Sequence, residues 1–186
     1  IDRHVPVWKV GSIDECSCQL IGPERQEANA VALARRIQAG ILKNVGACLR
    51  SSIGLAPSRF LAKTACGMKK PAGLTILRAH ELPGAILHLP LSQYPGVGSR
   101  MRERLAAAGV TDTASLWNMT AREARAVWNS IEGERIWRGL HGLDSELDAH
   151  QFGREHVVDG IAAGAADAED HDAGLQLGRF RGMKAK

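Results

Sequence analysis

The sequence predicts an α+β fold: a mixed or antiparallel sheet carrying two helices, then a small all-helical unit, then an irregular tail. Three observations predict it. Residues 1–77 alternate short apolar runs with two helical periodicities, in the order strand, helix, strand, helix, strand. From 78 to 150 the texture changes to short amphipathic helices separated by Gly and Pro. From 151 onward neither period holds, and 160–172 is a Gly/Ala/Asp stretch. With 186 residues, 45% of them hydrophobic, the chain has the length of one ordinary domain or two small ones and enough apolar matter to bury a core.

Residues 5–10 and 12–20 mix β-branched and apolar types and read as two strands broken at Gly11 and ended by Gly22-Pro23. Over 24–45, Ala28, Val31, Ala34, Ile37 and Ile41 recur at helical spacing. Residues 47–55 read as a third strand. Pro57-Ser58 opens a second helix to about Met68, Pro71-Ala72-Gly73 stops it, and 74–77 is a fourth strand; both helices are expected on one sheet face. Short helices are predicted over 82–87, 99–108, 113–117, 121–128 and 132–140, with Thr120 and Glu123 spaced as a capping box. Trp117, Trp128 and Trp137 fall on apolar helical positions and read as core. His141 and His150 lack ligand-like company.

No run of 18 apolar residues exists, and Ile1-Asp2-Arg3-His4 resembles neither a signal peptide nor a translation start; the expectation is a soluble chain cut at its front. Cysteines at 16, 18, 48 and 66 form no CxxC pair, which excludes a zinc or disulfide framework and points to reduced, cytoplasmic thiols. The net charge of +4 is uneven. Residues 25–104 hold 13 Lys/Arg against 3 Asp/Glu, while 105–150 hold 4 against 7. That basic middle suits a polyanion, although charge alone fits a solvated face better.

Three constellations carry chemistry. In Ser12-Ile13-Asp14-Glu15, adjacent carboxylates in an apolar context ask for cations, and hard divalent ions take such oxygens. Neighbouring strand residues point to opposite faces, so both reach one site only at a strand end or bend; alone, the pair is better explained as exposed edge charges. The second runs from Ser51-Ser52-Ile53-Gly54-Leu55-Ala56 through Phe60-Leu61-Ala62-Lys63 to Lys69-Lys70-Pro71-Ala72-Gly73. In the third, Gly96-Val97-Gly98-Ser99-Arg100, the glycines let backbone N–H groups at a helix start approach a phosphate. Met101 stands where a dinucleotide fingerprint needs its third glycine. A plain helix–turn–helix packing motif is the alternative.

Taken together and in this order, the S-I-D-E, S-I-G-x-A, L-A-K and K-P-x-G segments resemble the palm of the Y-family translesion DNA polymerases. Residues 96–100 resemble the helix-hairpin-helix of that family's thumb. The resemblance runs from about Trp8 to about His156. It implies a partial palm over 1–77, a thumb over 78–150, and a linker with the start of a little finger over 151–186. It further implies template-directed nucleotidyl transfer with two Mg²⁺ ions, Asp14 and Glu15 as metal ligands, Lys70 and, less directly, Lys63 on the incoming deoxynucleoside triphosphate, and Gly96, Val97, Gly98, Ser99 and Arg100 on the backbone of primer-template DNA. A sliding clamp is a further implied partner of a complete protein.

The sequence also departs from the family. The first metal-binding Asp, the steric-gate aromatic and the fingers precede the S-I-D-E motif in the family, whereas 11 residues precede Ser12 here. Ser17 replaces the usual aromatic, Gln19 the usual Asp, and Gly67 stands where the family often has Asp. The chain alone is therefore expected not to extend primers. The other reading, a noncatalytic DNA-binding or adaptor module, stays open, with retention of Asp14 and Glu15 speaking against it.

Overall fold

Residues 1–46, 48–143 and, as backbone, 160–165 are described by a computed structural model. Lys9–Val10 (β1) and Cys16–Cys18 (β2) form an antiparallel hairpin, Lys9 pairing with Ser17 and Val10 with Cys16. Both strands are shorter than the apolar runs suggest. Residues 11–15 close the hairpin: the Glu15 carbonyl accepts from the Gly11 and Ser12 amides at 2.8 and 3.1 Å. Ser12–Glu15 is thus a bend and not strand, which removes the objection that adjacent acids face opposite ways.

A 3₁₀ turn at Gly22–Arg25 leads into the helix Glu27–Asn44 (α1), whose Ala30, Leu33, Ala34 and Ile37 are buried at i, i+3, i+4 and i+7. Ser51–Ala56 (β3) is buried along its whole length. Its period of two divides the work between the faces. Ile53 and Leu55 join Ala30, Leu33 and Ile37 in one core cluster. On the opposite face, Gly54 lies against the helix Arg59–Met68 (α2); a Cβ on Gly54 would come within 2.0 Å of the Ala62 carbonyl oxygen. The two helices therefore cover opposite faces of β3. The expectation of one covered face fails because β3 is buried at every position and not at alternate ones.

Leu74–Ile76 (β4) runs parallel to β3, the α2 crossover joining them. The sheet order is β1, β2, β5, β3, β4, where β5 is Gly160–Ala165, antiparallel to both neighbours. The irregular tail expected beyond residue 151 is therefore corrected for 160–165, which form a central strand. Gly and Ala give no side-chain period and little strand propensity. What specifies the pairing is the backbone of β2 and β3, whose inward-facing N–H and C=O groups require partners. The expected start of a little finger at 151–158 lies outside the described residues.

Residues 82–87, expected as a helix, form hydrogen-bonded turns instead, with Ile86 and Leu87 amides on the Pro83 carbonyl. The segment is only six residues long and carries Gly84, too little to hold a helix. The remaining helices follow the expectation closely: Ser99–Ala107 (α3), Thr113–Asn118 (α4), Ala121–Trp128 (α5) and Ile131–Leu140 (α6). Capping boxes at Asp112/Ser115 and Thr120/Glu123 start α4 and α5. Leu105, Leu116, Ala124, Trp128, Ile136 and Leu140 pack into one cluster with Leu61, Ala62 and Ala65 of α2, so the helical half shares its core with the outer face of α2. The Ser58 hydroxyl caps α2 through the Leu61 amide and donates to the Gly139 carbonyl, pinning α6 to the start of α2. Trp137 Nε1 donates to the Met119 carbonyl at 2.6 Å, and His141 stacks on both Trp117 and Trp137.

Candidate active site

The hairpin turn carries Asp14 and Glu15 side by side at an exposed bend. The Ser12 hydroxyl donates a short hydrogen bond to Asp14 Oδ1. This bond foremost, then the Asp14 amide and the Lys70 and Lys63 charges, holds the Asp14 carboxyl below the usual carboxylate range. Glu15 Oε2 receives Lys63 Nζ at 2.8 Å, an ion pair between the turn and α2. Lys63 is exposed one helical turn beyond Arg59 because Leu61, Ala62, Thr64 and Ala65 take the buried face. Lys70 is exposed two residues past the end of α2, near enough to Asp14 to act on its charge. The structure thus brings Asp14, Glu15, Lys63 and Lys70 to one corner, from segments up to 56 residues apart.

A cleft of about 640 Å³ opens beside that corner, between the hairpin and the helical half. Glu15 and Lys63 line it on one side, Gly96 and Met101 on the other. Lys9, Arg59 and Arg135 add positive charge along its walls. Sequence reasoning missed these three. Arg59 had a signal, sharing a helical face with Lys63 at i, i+4, whereas Arg135 is one basic residue among several on an amphipathic helix. Cys16, on the cleft wall, has its thiol lowered to about 7, chiefly by a hydrogen bond from the Cys18 thiol, whose own pKa is raised.

The loop 95–99 divides its residues by role. Val97 is buried and anchors the loop, so its side chain faces away from solvent and only its backbone is available to a ligand. Gly96 has φ +79°, a left-handed conformation that a side chain would strain. Gly98 is the N-cap of α3 with φ −76°, and a Cβ there would meet nothing within 4 Å. Gly98, Ser99 and Arg100 are exposed at the start of α3, followed by exposed Arg102 and Arg104. Such a helix N-terminus offers outward backbone N–H groups to an anion.

Asp14 and Glu15 fit a hard divalent cation as carboxylate donors, with Asp14 held ionised. Among the described residues, no group of three or more His, Cys, Asp or Glu is placed to hold a metal. No helix among the described residues is long and apolar enough to cross a membrane.

Residues 1–67 match the sequence profile of the impB/mucB/samB (IMS) family. The chain is 42% identical over 144 residues to DNA polymerase IV of Bacillus velezensis, covering 77% of this chain and 33% of that protein. It is 31% identical over 151 residues to DNA polymerase IV of Pasteurella multocida, covering 81% and 42%. The chain is related to the Y-family DNA polymerases. In fold it is similar to a Y-family polymerase chimera of Dbh and Dpo4, with a TM-score of 0.65 at 24% identity over 82% of this chain and 44% of that one. The chain spans about two fifths or less of the length of these relatives.

Proposed function

We propose that the chain contributes the late palm and thumb of a translesion DNA polymerase, which transfers a nucleotide from a deoxynucleoside triphosphate to a primer 3′-hydroxyl. The observation that carries this reading is the gathering of Asp14, Glu15, Lys63 and Lys70 at one corner, beside a basic cleft whose far wall is the helical half. Asp14 and Glu15 would hold Mg²⁺. When bound, two such ions neutralise the transferring phosphoryl group and favour ionisation of the attacking hydroxyl. Lys70 and Lys63 meet the triphosphate as mobile point charges. Gly96 and Gly98, Ser99 and Arg100 hold primer-template DNA by its backbone, in the manner of a helix-hairpin-helix, without reading bases. A sliding clamp and a cytoplasmic setting complete the proposal for the whole protein.

A noncatalytic DNA-binding module is the second reading, favoured by one observation: Glu15 is already ion-paired with Lys63, and the described residues offer no third metal ligand. Manganese binding separates the two. Paramagnetic relaxation of water protons should show Mn²⁺ on the chain in the presence of primer-template DNA, and D14N and E15Q should each lose it with an unchanged circular dichroism spectrum. Equal Mn²⁺ uptake by both variants would sink the assignment of these carboxylates as ligands and leave the adaptor reading.

A further inference from the structure

Lys70 sits in the turn 69–73 between α2 and β4, and hydrogen bonds hold that turn at Lys69, Ala72 and Gly73. The Ser52 hydroxyl donates to the Lys69 carbonyl at 3.4 Å. The Gly73 carbonyl accepts from the Ile53 amide at 2.9 Å, and a Cβ on Gly73 would fall 1.8 Å from the Lys69 carbonyl oxygen. Ala72 is left-handed, with φ +58°. One side chain closes this arrangement from outside the sheet. Gln38, half-buried on α1, points its Nε2 at three carbonyls: Ser51 at 2.9 Å, Gly73 at 3.1 Å and Ala72 at 3.3 Å. Its Oε1 faces outward and accepts from Arg35 Nη1 at 3.1 Å.

From this geometry we infer that Gln38 is a positioning residue, whose amide locks the turn that presents Lys70 to a triphosphate. The inference rests on the proposed role of Lys70. Gln suits the task because its NH₂ supplies two donors to a cluster of carbonyls, and its length spans from α1 to the turn. A lysine on a loose turn would have to be ordered each time a phosphate arrives, and that entropy would be subtracted from binding. Fixing residues 69, 72 and 73 removes most of the cost in advance and leaves the Lys70 side chain to respond.

The variant Q38E is nearly isosteric but places a carboxylate oxygen where three carbonyls need a donor; Q38A simply removes the donors. Two measurements on the full chain decide the matter: amide hydrogen exchange at 69, 70, 72 and 73, and calorimetric binding of inorganic tripolyphosphate. Both variants should speed exchange in the turn by about tenfold or more, the loss of a partly buried hydrogen-bond donor, with Q38E the worse, while protection at Ala30–Ile37 stays as it was. Tripolyphosphate affinity should fall several-fold in each, and about tenfold in K70A. Unchanged exchange in Q38E would overturn the inference. So would faster exchange with undiminished affinity, since Gln38 would then hold the turn without serving Lys70. If the unaltered chain fails to bind tripolyphosphate, the role vanishes with it. If K70A binds as tightly as the unaltered chain while Q38E still binds more weakly, the Lys70 reading fails and the hold of Gln38 on the turn stands.

Discussion

The sheet half and the helical half use the same packing device and keep their chemistry in opposite kinds of place. In each, a glycine lets two backbones meet: a Cβ on Gly54 would stand 2.0 Å from the Ala62 carbonyl oxygen, and one on Gly133 2.2 Å from that of Ala124. Beyond that, they diverge. The sheet half presents charged side chains, Asp14 and Glu15 on a turn and Lys63 on an exposed helix face. The helical half presents backbone, the amides that open α3. Side-chain chemistry needs particular residues and so leaves a motif; backbone chemistry needs mainly the absence of side chains and leaves two glycines that many turns also have.

Breaking the shared device should give the largest effect. Gly54→Val forces β3 away from α2 against backbone atoms that cannot rotate aside, and should cost more than about 3 kcal/mol, the upper range for overpacking. Gly133→Ala should approach that cost in α5 and α6. Because α2 and the helical half share one cluster, each substitution should unfold both halves in a single transition, seen by amide exchange in β3 and in α6. Loss of protection in the helical half alone in Gly133→Ala would show that the halves fold independently.

The two loop glycines sharpen the comparison. Gly96→Val places a branched side chain at φ +79° and should cost about 1–3 kcal/mol in stability. Gly98→Val meets open space at an ordinary φ and should cost under about 1 kcal/mol, the loss of a tolerable N-cap. Both should weaken binding of a short duplex, measured by fluorescence anisotropy, since both stand where a phosphate would approach. Binding by the unaltered chain should fall steeply with salt. Full DNA affinity in a folded Gly98→Val chain would remove the loop from the binding surface.

Much of this was legible in the sequence where side chains carry the pattern. α1 announced itself through the helical spacing of Val31, Ala34, Ile37 and Ile41, although its buried stripe also takes in Ala30 and Leu33; α5 did so through its capping box, and the corner of Asp14, Glu15, Lys63 and Lys70 through three motifs in a known order. The failures share a cause. β5 is Gly and Ala, so its place between β2 and β3 is decided by neighbours' hydrogen-bonding needs, to which periodicity is blind. The turn at Ser12–Glu15 was read as strand because Ile13 looks apolar, yet Ile13 is fully exposed at the hairpin tip. Of the two loop glycines, Gly96 and not Gly98 is left-handed, which only three-dimensional context reveals. Gln38 has no sequence signal, because its partners are carbonyls.

The smallest effect concerns the hinge region between the halves, where Arg78 grips Glu27 of α1 through Nε and Nη2, both at 2.6 Å, and Glu81 through Nη1 at 2.8 Å. All three side chains are more than a third exposed, so solvent screens the network, and Arg78→Ala should cost little stability. Its pH dependence is the sharper reading. The Arg78 hydrogen bonds hold the Glu27 carboxyl below its ordinary 4.5. A carboxyl depressed in the folded state binds its proton more readily when unfolded, so its contribution is complete above the ordinary value and is lost as pH falls from there through the folded value. The unaltered chain should therefore lose more stability than Arg78→Ala between about pH 5 and pH 3, and the two urea-unfolding curves should converge at the acid end. Added salt should narrow the gap at neutral pH. A constant gap across that range would mean that Arg78 acts through the packing of its alkyl stem and not through its charge.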